Sequence, residues 1–301
     1  MSRIQEALKR AEQERAANRG VAQAGYPPAP PVDSPLPGDE LGMTVPHVGN
    51  APMPSFPAPV SFDALLNRCP QSEWKPDLNT MLFMNGNDNA RGTEEYRTLR
   101  SRLYHLREKS NLKTLLVTSA LPKEGKSFTS ANLAQVLRRQ HGRRVLLIDG
   151  DLRAPRLHEL LGTSPGPGLS DYLLGQNDEF SIMQRGNADG LFFIPSGTRI
   201  EDPADVIGNG RMKVLIQKLE PLFDWIIVDS PPAIAVSDAS VLAKACDGVL
   251  MVVRSNSTPA DVARKAREEF SEEALVGVIL NGTSRENAPY ERYYYETYEK
   301  K

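Results

Sequence analysis

TLLVTSALPKEGKSFTSANLA, residues 114–134, decides the fold. Thr114–Thr118 reads as a short apolar strand, and the residues from Lys126 onward read as a helix. The loop between them ends in Gly125-Lys126-Ser127. A phosphate chain needs inward-pointing backbone N–H groups, a glycine where the chain passes close, and a helix N-terminus behind it. On this reading Gly125, Lys126, Ser127 and Phe128 form the nucleotide-contacting run. Lys126 pairs with the β- and γ-phosphates, and Ser127 offers its hydroxyl to Mg²⁺. The match to G-x-x-x-x-G-K-[ST] departs at its first position, where Ala120 stands in place of glycine.

Two more apolar strands end in acids. VLLIDGDLRAPRLH, residues 145–158, closes on Asp149 and Asp151, followed by Arg153. Carboxylates at alternate positions point to opposite faces unless the strand is already turning, so one can face a metal while the other addresses a nucleophile. Arg153 either stabilises transition-state charge or binds substrate. DWIIVDSPPAIAVSDA, residues 224–239, closes on Asp229, placed as an acid that positions Mg²⁺; Pro231 and Pro232 then end the strand. Further strand-like runs fall at 191–194, 249–253 and 276–280, and helical patterns near 93–108, 126–140, 204–219, 237–246 and 259–270. Continuous short strands alternating with helices predict an α/β, doubly wound, mostly parallel sheet of the P-loop NTPase type. Ligands of such sheets bind at the carboxyl ends of the strands, where all three motifs fall. Asn281, ending the last strand, is either an adenine contact or a strand-end turn residue.

The rest of the chain has a different character. Residues 1–17 read as a short amphipathic helix, suited either to a solvated face or to docking. Residues 18–73 read as a largely disordered, Pro-rich linker: eleven of the 24 prolines lie between 18 and 60, and proline removes backbone donors. Residues 74–285 form the predicted ATPase domain, and 286–301 a mobile tail. Five of the nine tyrosines, Tyr290, Tyr293, Tyr294, Tyr295 and Tyr298, crowd into that tail among glutamates, with too little aliphatic content for a core. The net charge of −2 supplies no global basic field, so no nucleic-acid partner is expected. The charged N-terminus lacks an apolar h-region, no run approaches 18 apolar residues, and Cys69 and Cys246 have no metal-type spacing. Those features fit a reducing cytoplasm.

The set SALPKEGKS, LLIDGDLR and IIVDSPP resembles the bacterial tyrosine kinases (BY-kinases) of capsule and exopolysaccharide synthesis, over residues 75–301. Their Walker A, Walker A′ and Walker B motifs correspond to these three runs. The resemblance implies an ATP-dependent tyrosine autokinase that uses ATP and Mg²⁺. Lys126 and Ser127 would hold them, Asp229 would position the metal, and Asp149 and Asp151 would divide metal support from activation of the phenol. It implies that the tyrosine cluster is the autophosphorylation site. Glu94, Arg97 and Arg100, in GTEEYRTLRSRL, resemble the family's E-x-x-R-x-x-R helix of subunit contact, so a homo-oligomer, in a ring, is expected. A separate membrane-embedded polysaccharide co-polymerase as activator and a cognate tyrosine phosphatase are implied partners. The implied location is cytoplasmic, held peripherally at the inner face of the cell membrane through a partner. The competing reading is a MinD/ParA-like ATPase without kinase activity. That family carries a lysine five residues before the P-loop lysine, where this chain has Leu121.

Overall fold

The computed structural model describes residues 61–69, 71–83, 92–186 and 188–283. The predicted N-terminal helix and most of the Pro-rich linker lie outside them. Seven strands form one sheet: β1 (Thr114–Ser119), β2 (Val145–Asp149), β3 (Gln184–Arg185), β4 (Leu191–Ile194), β5 (Trp225–Asp229), β6 (Gly248–Arg254) and β7 (Leu275–Asn281). Their order is β3-β4-β2-β5-β1-β6-β7. Every pairing is parallel except β3 on β4. The chain leaves β1 toward β2 on one side and later adds β6 and β7 on the other, so the reversal of strand order lies beside β1.

Alternate side chains of each central strand enter opposite cores, as a doubly covered sheet requires. Leu146 and Ile148 of β2, Ile226 and Val228 of β5, and Phe192 and Ile194 of β4 share one cluster. Val145, Leu147, Trp225, Ile227, Leu191 and Phe193 share the other. The second face is covered by α3 (Lys126–Arg138) through Ala131, Leu133, Ala134, Val136 and Leu137. On the first face α7 (Arg211–Leu219) contributes Met212, Leu215, Ile216 and Leu219. Phe193 and Trp225 are fully buried, so truncating either to Ala costs about 3–5 kcal/mol.

Three departures from expectation have local causes. Residues 61–69 and 71–73, within the span assigned by composition to the linker, belong to the fold. Helix α1 (Phe62–Arg68) is capped by Ser61, whose hydroxyl accepts from the Ala64 N–H at 3.1 Å. Leu65 is fully buried, and the Cys69 thiol donates to the Met183 carbonyl at 3.3 Å. The helical stretch predicted over 204–219 is two helices, α6 (Pro203–Gly208) and α7, because Gly210 adopts φ 84° between them. Strand β3 and the short helices α4 (Leu157–Leu161) and α5 (Leu169–Leu173) carry too few residues to show a period. The remaining helices are α2 (Thr93–Lys109), α8 (Asp238–Ala243) and α9 (Ala260–Glu268).

Candidate active site

The carboxyl ends of β1, β2 and β5, with the start of the helix after β1, bring six polar side chains to one buried centre. Register explains why: Asp149 pairs with Asp229 across β2 and β5, and Val117 pairs with Asp229 across β1 and β5. The loop after β1 then turns into α3, with Gly125 at its N-cap in the left-handed region, φ 96°. A Cβ at Gly125 would lie 2.1 Å from Asn281 Nδ2, so glycine is required there on two counts. Ala120 has no such requirement. It is fully buried beside Ala233 and Met251, and the left-handed turn falls at Lys123, φ 67°, instead. That placement explains the departure from the phosphate-loop pattern.

At the centre, Lys126 Nζ lies 2.6 Å from Asp151 Oδ2, 3.8 Å from Asp229 Oδ2 and 3.4 Å from Ser127 Oγ. The Ser127 hydroxyl donates to Asp229 Oδ2 at 2.6 Å, and the Ser130 hydroxyl donates to Asp229 Oδ1 at 2.9 Å. Asp151 Oδ1 accepts from the Ala154 N–H at 3.0 Å. Asp149 accepts from the Leu157 N–H at 3.1 Å and the Asp151 N–H at 3.3 Å. Asp149 and Asp229 are fully buried, and Asp151 nearly so.

Burial pushes the Asp149 carboxyl up to about 8, with the charges of Asp229 and Asp151 adding to it and the Leu157 N–H and Lys126 opposing. Burial likewise lifts Asp229, against Lys126 and its two hydroxyl donors. Burial works against the Lys126 charge, but Asp229 and Asp151 outweigh it, and its pKa lies above the ordinary lysine value. Three acids around one ammonium, with Asp149 and Asp229 held toward their protonated forms, make a site short of positive charge, which is the electrostatic demand a divalent cation meets.

Other anticipated residues stand elsewhere. The Arg153 guanidinium turns to Asp238, Nε to Oδ2 at 2.8 Å and Nη2 to Oδ1 at 3.0 Å, a bidentate pair with a fully buried carboxylate. The Asn281 amide donates to the Glu124 carbonyl at 2.8 Å, so its side chain holds the phosphate loop. Phe128 is half-buried, with its ring edge-on to Tyr96 at 6.3 Å between centroids. Arg97 pairs with Glu94 on the same helix, and Arg100 donates to the Val136 carbonyl of α3 at 3.2 Å. Tyr290, Tyr293, Tyr294, Tyr295 and Tyr298 lie outside the described residues. Sequence reading passed over Ser130, Asp238 and Glu124. Ser130 was discoverable, since it follows Ser127 by three on a helix and so shares its face.

Residues 115–299 match the CobQ/CobB/MinD/ParA nucleotide binding domain family. The chain is 36% identical to the tyrosine-protein kinase YwqD of Bacillus subtilis over 192 residues, covering 63% of this chain and 81% of that protein. It is 32% identical to the tyrosine-protein kinase wzc of Salmonella typhimurium over 222 residues, covering 73% of this chain but 31% of that longer protein. Among solved structures, the kinase domain of the Escherichia coli tyrosine kinase ETK aligns with TM-score 0.62 at 31% identity, covering 67% of this chain and 80% of that one. No helix among the described residues is long and apolar enough to cross a membrane.

Proposed function

Because the chain belongs to the bacterial tyrosine-protein kinases built on the CobQ/CobB/MinD/ParA nucleotide binding domain, we propose that it transfers the γ-phosphoryl group of ATP to its own C-terminal tyrosines in the control of exopolysaccharide synthesis. The observation that carries the reading is the buried cluster of Lys126, Ser127, Asp149, Asp151 and Asp229 at three strand ends.

The residues fit Mg-ATP. No side chain caps the amino end of α3, which leaves its first N–H groups for phosphate oxygens. Ser127 and Asp229 supply the hard oxygen donors that Mg²⁺ prefers, and Asp149 stands behind them. Mg²⁺ arrives with the phosphates and keeps several waters, so few protein oxygens are needed to hold it. When bound, Mg-ATP supplies the electrophilic phosphorus and part of the charge neutralisation.

The remaining work falls to the chain. Lys126 leaves Asp151 for the phosphates, and the Asp151 carboxylate, without its ammonium partner, accepts the phenolic proton of the incoming tyrosine. A phenol near pKa 10 needs that acceptor in place. Asp149 steadies the turn by holding the N–H groups of Asp151 and Leu157. Residues 286–301 serve as the acceptor tail, residues 18–60 as a spacer, and a membrane polysaccharide co-polymerase as the activating partner. Assembly is as a homo-oligomer, and a tyrosine phosphatase resets the tail. Leu121, at the position of the MinD/ParA lysine, favours the kinase over a partitioning ATPase. Incubation with γ-labelled ATP followed by phosphotyrosine detection tests the reading. Label on tyrosine supports it, and label released only as free phosphate refutes it.

A further inference from the structure

Glu124 is a buried carboxylate inside the phosphate loop, 2% exposed, that the catalytic reading leaves without a task. Its two oxygens work in different directions. Oε2 accepts from the Leu121 N–H at 2.7 Å and closes the turn that contains Lys123 in its left-handed conformation. Oε1 accepts from the Thr258 hydroxyl, and from the Arg254 N–H at 3.3 Å, where β6 gives way to the turn before α9. The contact is returned twice: Arg254 Nη1 donates to the Lys123 carbonyl at 3.0 Å, and Asn281 Nδ2 donates to the Glu124 carbonyl at 2.8 Å. The loop is thereby fastened to the ends of β6 and β7, on the side of the sheet away from β2 and Asp151.

We propose that Glu124 is a positioning residue for nucleotide binding: through Thr258, Arg254 and Leu121 it holds the phosphate loop in its nucleotide-receiving shape. The physical reason is entropic and electrostatic together. Residues 120–124 lack any glycine, and a loop that must gather its N–H groups around phosphates binds more weakly by the fraction of time it spends in other shapes. A carboxylate accepting three hydrogen bonds, two from backbone N–H groups, fixes that shape before the ligand arrives. An anion so close to a phosphate site repels the ligand, so its presence needs a compensating role. Its oxygens point to Leu121 and to the β6–α9 turn, where donors neutralise them, and not to Lys126.

This rests on the nucleotide-binding reading of the site, not on tyrosine as acceptor. The decisive variant is Glu124→Gln, which keeps shape and volume. Its NH₂ group must face either the Leu121 N–H or the Arg254 N–H, so one of the two anchors is lost whichever way the amide turns. The expected result is Mg-ADP binding weaker by about tenfold or more, read by titration of a fluorescent ADP at 20 °C. The KM for ATP should rise while the KM for an added tyrosine peptide stays at the wild-type value, a split that general loss of structure does not produce. Thr258→Val, which removes one donor and leaves the carboxylate, should weaken ADP binding about threefold. Folded Glu124→Gln protein that binds Mg-ADP with wild-type affinity would overturn the proposal. Should Glu124→Gln not fold, Thr258→Val decides: several-fold weaker binding upholds the role, and unchanged affinity overturns it. Tight ADP binding without any phosphotyrosine would instead count against the kinase reading alone.

Discussion

Lys126 Nζ stands 2.6 Å from Asp151 Oδ2 and is the ammonium around which Asp149, Asp151 and Asp229 gather. On the proposed function the pair is a resting contact that nucleotide exchanges, because the ammonium cannot serve Asp151 and a γ-phosphate at full strength together. Two properties of the protein, charge balance and nucleotide affinity, therefore meet in one side chain. Lys126→Met should lower phosphotransfer by about a thousandfold, since no neighbour supplies the charge. It should also leave the buried acids Asp149, Asp151 and Asp229 without their cation, and because more of that acid is ionised at pH 8 than at pH 5, the variant's melting temperature falls more at pH 8. Calorimetry at the two pH values checks the second expectation, and labelled ATP the first.

Asp149 gives a pH dependence with a definite sign. Its folded-state pKa, about 8, lies above its value of 3.8 in the unfolded chain, so the folded state holds the proton more tightly. The associated stability is fully present below about pH 4 and is lost as pH rises through 8. Nucleotide-free protein should therefore lose stability between pH 5 and 8 more steeply than Asp149→Asn, which carries no titrating group. Urea unfolding of both proteins across that range measures the difference. Parallel curves would contradict the assignment.

Arg153 should prove structural before it proves catalytic. Its bidentate pair with fully buried Asp238 ties the loop after β2 to the start of α8. Arg153→Ala leaves that carboxylate unpaired and should cost about 1–3 kcal/mol. The cost should shrink in an Asp238→Asn background, because the charge needing a partner is gone. Additive losses in the double-mutant cycle would show that the pair is not coupled.

What the sequence made legible follows from chain-local chemistry. The three strand-end motifs were readable because burial on both faces enforces apolar runs of four or five residues, and a ligand site interrupts them with charge. Asp149, Asp151 and Asp229 were visible for that reason, as was Lys126 behind its glycine. Direction was not legible. Nothing local says that Arg153 turns to a carboxylate 85 positions later, or that Asn281 holds a carbonyl 157 positions earlier. Composition also misplaced residues 61–69 and 71–73, because seven helical residues capped by Ser61 are too few to stand out beside the prolines before them.

Arg97 and Arg100 differ in what they hold. Arg100 reaches from α2 to the Val136 carbonyl of α3, while half-buried Arg97 pairs with exposed Glu94 one turn earlier on α2. Glu94 and Arg97 are therefore the members of this set that face outward, where a second subunit would meet them. Arg97→Ala should lower the assembled mass seen by light scattering. Arg100→Ala should instead cost about 0.5–1.5 kcal/mol of chain stability. Unchanged mass in both variants would contradict a role for this helix face in assembly.

If the Lys126 cluster phosphorylates the C-terminal tyrosines, the modification is visible by mass spectrometry of the C-terminal peptide after incubation with Mg-ATP, for the wild type, Lys126→Met, and a variant with Phe at Tyr290, Tyr293, Tyr294, Tyr295 and Tyr298. The expected result is phosphate on those tyrosines in the wild type, none detectable in Lys126→Met, and no phosphotyrosine in the five-Phe protein, which should still bind Mg-ADP. Wild-type protein that hydrolyses ATP while its tail stays unmodified would refute phosphotransfer to the tail.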